Sequence, residues 1–182
     1  MRIGIFGGSF NPVHLGHVSF VVGMQEAYQL DLVYVIVAAV NPFKKQDDML
    51  DGVHRLKMCR LAFQGVPGCK VLSLELQRKA PSYTIDTVRE LHKKRYVTEQ
   101  DDLFLLLGED AARDVGSWKE SAELSSRCTI VTAPRSQDTT SSPIAFFDIS
   151  ATQIRERRLL GLYCGHLLHK DVYRYIQKHA LY

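Results

Sequence analysis

Ile3-Gly4-Ile5-Phe6-Gly7-Gly8-Ser9-Phe10-Asn11-Pro12-Val13-His14-Leu15-Gly16-His17 decides the fold, because an apolar strand runs directly into a glycine turn and then into a helix that begins with two histidines. Ile3 to Phe6 reads as a buried strand. Gly7-Gly8-Ser9 lets the chain turn sharply and brings main-chain N–H groups close to a ligand. The helix body is expected over Leu15 to about Tyr28, which puts Pro12, His14 and His17 before or within its first turn. Unpaired N–H groups and the helix dipole favour an anion there, and phosphate is the natural guest. Spaced three apart, His14 and His17 share one helix face and can point into the same space.

Each of these features also has an ordinary explanation. Glycine turns follow first strands in many α/β proteins, and a histidine near a helix start is often a cap. H-x-x-H is also half of a metal site, but no cysteine or carboxylate stands at ligand spacing nearby, so no protein-held metal is expected. The dinucleotide fingerprint G-x-G-x-x-G does not superpose on Gly4, Gly7, Gly8 and Gly16. A dehydrogenase would need that fingerprint and a separate catalytic domain.

The 182 residues suit one domain, residues 1–182, and 46% hydrophobic residues can build a real core. Net charge is +3 and evenly spread: residues 1–90 hold 10 Lys/Arg against 8 Asp/Glu, and residues 91–182 hold 13 against 12. That balance does not indicate nucleic-acid binding. Cys59, Cys69, Cys128 and Cys164 form no C-x-x-C pair and read as reduced core residues. No apolar run reaches the length of a membrane span, so a cytoplasmic protein with no membrane partner is expected. Whether it self-associates into a homo-oligomer is left open.

Apolar runs alternate with helical patterns. Strands are expected at Ile3–Phe6, Leu32–Ala38, Lys70–Glu75, Leu103–Leu107, Thr129–Thr132 and Ala145–Asp148, all rich in the residues that parallel strands bury. Helices are expected around Val53–Gln64, Thr84–Arg95 and Asp171–Leu181. The pattern predicts an α/β fold, a Rossmann-like doubly wound sheet that is mostly parallel, with ligands at the carboxyl ends of its strands. Long connections at 41–52, 76–82 and 134–143 fall at those ends.

Ile149-Ser150-Ala151-Thr152-Gln153-Ile154-Arg155 opens another helix after the last strand. Ser150 and Gln153 form a capping box, which is a sufficient structural reason for both. Thr152 adds a hydroxyl and Arg155 a planar fork of donors suited to phosphate oxygens, so the same helix start can also hold an anion.

With these residues in hand, the chain resembles the nucleotidyltransferase superfamily that carries the H-x-G-H signature, here His14-Leu15-Gly16-His17. Within it the closest resemblance is to the bacterial nicotinate-nucleotide adenylyltransferase family. Gly7 to His17 matches the first motif of that family, and Ile149 to Arg155 matches its last apart from Ala151, where the family has serine. Asn41-Pro42-Phe43-Lys44-Lys45, Pro81-Ser82-Tyr83-Thr84, Gly108-Glu109-Asp110 and Trp118 resemble the motifs between, with departures at Phe43 and at Ser136 after Arg135.

The resemblance implies transfer of the adenylyl group of ATP to nicotinate mononucleotide, giving deamido-NAD and pyrophosphate. It implies His14 and His17 as catalytic donors to phosphate oxygens. Gly7, Gly8, Ser9, Phe10, Gly16, Gly108, Asp110, Ile149, Ser150, Thr152 and Arg155 would bind ATP, and Lys44, Ser82, Tyr83, Thr84, Trp118 and Arg135 the mononucleotide. Mg2+ would ride on the ATP phosphates without dedicated protein ligands. A phosphomonoester with a second pKa of about 6 is already ionised near neutral pH, so no general base is needed. Other readings are an adenylyltransferase preferring nicotinamide mononucleotide, a pantetheine-phosphate adenylyltransferase, and a noncatalytic nucleotide sensor.

Overall fold

The computed structural model describes residues 1–39, 49–78, 81–132, 147 and 149–182. Its strands are β1 (Arg2–Gly8), β2 (Leu32–Val37), β3 (Cys69–Leu72), β4 (Asp102–Leu107) and β5 (Thr129–Thr132). Its α-helices are α1 (Leu15–Tyr28), α2 (Gly52–Ala62), α3 (Thr84–Lys93), α4 (Glu109–Asp114), α5 (Ser121–Arg127), α6 (Ala151–Leu159) and α7 (Lys170–Lys178). Every described strand pair is parallel, in the order β3-β2-β1-β4-β5. The chain winds outward from β1 to β3, then returns to the other side of β1 for β4 and β5. This reversal makes the carboxyl ends of β1 and β4 the switch point, where an open parallel sheet leaves a crevice.

The two-residue period of the strands divides the core in two. Phe6, Val33, Val35, Val37, Phe104 and Leu106 face one side, under Val21 and Met24 of α1, Met58 of α2, Ile154 of α6 and Ile176 of α7. Ile3, Ile5, Tyr34, Ile36, Leu103, Leu105 and Leu107 face the other, under Ile85, Val88 and Leu91 of α3 and Leu124 of α5. Burial on both faces is why the strands read as unbroken apolar runs rather than alternating ones. The cysteines are free, and Cys59, Cys128 and Cys164 are buried.

Several expectations shift in detail. The third strand stops at Leu72, and Glu75 lies in a 3-10 turn (Glu75–Gln77) instead of ending the strand. There the turn buries the Glu75 carboxylate against Thr87 of α3. The expected strand at 145–148 falls outside the described residues except for Phe147, which is not in a strand. Much of the connections expected at 41–52 and 134–143 also lies outside them. The expected helices appear as α1, α2, α3, α6 and α7 within a few residues of where the sequence puts them, whereas α4 and α5 carry no such expectation.

Candidate active site

His14 is the N-cap of α1, held extended at φ −141°, ψ 172°, and His17 is the third residue inside the helix. The His14 N–H donates to Nδ1 of His17 at 3.2 Å, and the two rings stack with centroids 3.6 Å apart and planes 29° apart. The expectation of a shared face is met. Because Nδ1 of His17 accepts a hydrogen bond, the neutral His17 ring carries its proton on Nε2, which leaves that nitrogen as a donor. Burial pushes the His14 ring down to about 4, so it is neutral near pH 7. A neutral ring still supplies one N–H.

Phe10 was expected to face ATP, but its ring is only 2% exposed. With φ at +47° the chain swings the ring under the glycine turn, 5.5 Å from Phe6 and 5.0 Å from His17 between centroids. A ligand contact at this position therefore falls to the main chain. The swing also explains Gly8, since a Cβ there would lie 2.8 Å from the Phe10 ring. At Gly16 a Cβ would lie 2.9 Å from the Phe147 carbonyl oxygen and 3.0 Å from Nδ1 of His14. The glycine of H-x-G-H thus lets the first turn of α1 touch the segment that leads into α6.

The second expected phosphate segment meets the first here. Ser150 is the N-cap of α6, and its Oγ accepts from Gln153 N–H at 3.1 Å. Thr152 Oγ1 accepts from Nη2 of Arg155 at 3.3 Å, while Nη1 of Arg155 donates to the Asn11 carbonyl at 2.8 Å. Asn11 Oδ1 in turn accepts from Leu50 N–H at 3.2 Å and from the Tyr182 hydroxyl at 2.9 Å. Three distant segments therefore converge on one residue of the glycine turn. The Ile149 side chain is partly buried against the same core.

Beside this cluster a cleft partly open to solvent lies over the switch point. It is lined by Gly7 and Gly8 from β1, Gly108 after β4, Ser82, Tyr83 and Thr84 at the start of α3, and Trp118. A Cβ on Gly7 or Gly108 would meet no described protein atom within 4 Å, so the missing side chains leave that space to a ligand. Trp118 is half-buried, packed against the core while still lining the cleft. Tyr83 caps α3 through its backbone, and its side chain makes no cap hydrogen bond. The first N–H groups of that helix open at the cleft edge where Thr84 lies.

Ser82 departs from its expected role. Its Oγ accepts from Ala39 N–H at 3.0 Å and donates to Glu75, so the hydroxyl already serves the turn rather than a ligand. Glu75, which the sequence pattern places at a strand end, is 6% exposed and also accepts from Thr87 Oγ1 at 2.6 Å. Burial pushes its carboxyl up from the ordinary range. Lys44 and Arg135 lie outside the described residues, as does the side chain of Asp110, whose backbone is in the first turn of α4.

The cytidylyltransferase-like family model matches residues 5–157, and the chain belongs to that class of nucleotidyltransferases. A Thermus thermophilus relative is 40% identical over 190 residues, covering all of both chains. Bacillus subtilis nicotinate-nucleotide adenylyltransferase is 34% identical over 188 residues, covering all of this chain and 98% of its own. A Vibrio parahaemolyticus crystal structure shares the fold at TM-score 0.74 with 20% identity, covering 98% of this chain and 93% of that one. Plasmodium falciparum nicotinic acid mononucleotide adenylyltransferase, complexed with NaAD, shares it at TM-score 0.65 with 19% identity, covering 99% and 96%. Within the class, this chain is a member of the nicotinate-nucleotide adenylyltransferase family.

Proposed function

We propose that the protein transfers the adenylyl group of ATP to nicotinate mononucleotide, giving deamido-NAD and pyrophosphate, as a step of NAD biosynthesis. The observation that carries this reading is the junction of two anion-suited helix starts, His14–His17 and Ser150–Arg155, through Asn11 beside the switch-point cleft. Ser9 Oγ is buried in that junction without a hydrogen-bond partner among the described residues. An orphaned polar atom of this kind costs about 1–3 kcal/mol, which a ligand reaching it would offset.

In the reaction an ionised phosphate oxygen of the mononucleotide attacks the α-phosphorus of ATP in line. A new O–Pα bond forms as the bond from Pα to the β-bridging oxygen breaks, and the electron pair leaves with pyrophosphate. The protein contributes positioning and charge stabilisation. His17 donates from Nε2 and His14 from its neutral ring to phosphate oxygens as charge moves toward the leaving group. Arg155, Thr152 and the start of α6 hold the β- and γ-phosphates, and the main chain around Gly7–Phe10 and Gly16 lines their path. Gly108 and Asp110 would meet the adenosine. ATP arrives as its Mg2+ complex, the metal being part of the substrate.

The pyridine ring stacks on Trp118, and its carboxylate takes the N–H groups at the start of α3 beside Tyr83 and Thr84. A helix start favours the acid over the amide form. Lys44 and Arg135 would meet the mononucleotide phosphate. No helix among the described residues is long and apolar enough to cross a membrane, in keeping with an enzyme of the cytoplasm.

Pyrophosphate release with ATP, Mg2+ and each mononucleotide tests the reading. Release with nicotinate mononucleotide well above that with nicotinamide mononucleotide is expected. Release with neither would overturn the activity, and preference for the amide would overturn the assigned role of α3. Trp118→Ala should raise KM for the mononucleotide far more than for ATP, and equal effects would make the ring structural.

A further inference from the structure

Arg55 of α2 is 2% exposed, among the most deeply buried large side chains of the protein. Buried arginines are ordinarily paired with carboxylates. Among the described residues Arg55 hydrogen-bonds no carboxylate, only main-chain carbonyls: Nη1 to Ser9 and to Ala38, both at 2.7 Å, Nη2 to Ala39 at 3.3 Å, and Nε to Leu50 at 2.7 Å. Those carbonyls belong to the turns that leave β1 and β2, and to the residue whose N–H binds Asn11.

The consequence follows from the planar trans peptide, in which C=O and the next N–H point in opposite directions. Arg55 draws the Ser9 carbonyl inward, so the Phe10 N–H faces away from the guanidinium. It draws the Ala38 carbonyl inward, so the Ala39 N–H faces the other way, where Ser82 Oγ accepts it at 3.0 Å. A single guanidinium thus orients the glycine turn on one side and, through Ser82, the start of α3 on the other. Its charge, solvated by carbonyl dipoles alone among the described contacts, also lies directly beneath the turn proposed to meet phosphate.

We propose that Arg55 is a positioning residue for adenylyl transfer, setting the peptides of both substrate-facing turns and placing a buried positive charge under the phosphate site without touching either substrate. This rests on the proposed function. A wild-type protein that releases no pyrophosphate would sink that reading, whereas the comparison below sinks the role of Arg55 alone.

The test compares Arg55→Lys and Arg55→Met with wild type, each first shown to be folded at the assay temperature by circular dichroism and thermal melting. Lysine keeps the charge but loses the planar fork that reaches all four carbonyls. Arg55→Lys should lower kcat by about 10- to 100-fold, the cost of misplacing reacting groups by around 1 Å. Arg55→Met should lower kcat further and also weaken binding of α,β-methylene-ATP in calorimetry. Folded variants with kcat and both KM values within about twofold of wild type would overturn the proposal. Should neither variant fold, the wild-type protein decides by NMR. The Arg55 Nε–H resonance should shift when α,β-methylene-ATP saturates the enzyme, and an unmoved resonance would overturn the role.

Discussion

Lowering the pH should unload stability through His14 in a way that one substitution removes. The ring is 7% exposed, so burial makes the folded protein resist its protonation and the pKa lies at about 4, against 6.5 when unfolded. Between those values the unfolded chain binds a proton that the folded chain does not, so stability rises with pH across the window and falls as the pH is lowered from 6.5 toward 4. Linkage gives a loss of about 2 kcal/mol by pH 5 and about 3 kcal/mol by pH 4 from this residue alone. Denaturant unfolding of the wild type and of His14→Gln at pH 7 and pH 5 isolates it, because the other titrating groups are common to both proteins. The wild type should lose about 2 kcal/mol more than the variant over that interval. Equal losses would refute the argument that burial keeps this ring neutral.

Gly108→Ala should leave stability unchanged within about 0.5 kcal/mol, since φ at −68° suits alanine and no described atom lies near its Cβ. Its methyl would enter the cleft, so calorimetry should show weaker binding of an ATP analogue. Gly16→Ala should destabilise by about 1–3 kcal/mol through overpacking, reversing the gain that alanine usually brings to a helix, because the Phe147 carbonyl is main chain and cannot swing aside. Denaturant unfolding reads the sign. His17→Ala should lower kcat by roughly 10²–10³-fold with the fold intact, the usual cost of one transition-state donor. Turnover near wild type would remove His17 from the mechanism.

What could be read from the sequence was local. The glycine turn, the two histidines at a helix start and the Ser150 cap depend on neighbours within a few positions, and each appears where spacing puts it. Arg55 was not legible: in His54-Arg55-Leu56-Lys57 it looks like one more solvated charge on a helix, and the carbonyls that bury it lie up to 46 residues away. Glu75 reads as the end of an apolar strand, since nothing local reveals that Thr87 and Ser82 wait for its carboxylate. Phe10 reads as a ligand contact because its motif is one, yet a left-handed φ turns the ring into the core. The strand order, and with it the position of the cleft, depends on which strands pair across long separations, information that apolar periodicity does not hold.

The convergence on Asn11 gives the site a place in time as well as in space. The bonds from Arg155 and Tyr182 to this residue close separations of 144 and 171 residues. At ordinary rates of synthesis the glycine turn leaves the ribosome on the order of ten to thirty seconds before the groups that latch it. A nascent chain can pair β1 with β2 in that interval, yet its glycine turn stays unlatched, so under the proposed function nucleotide would be gripped only after synthesis has passed the segments that close over the turn.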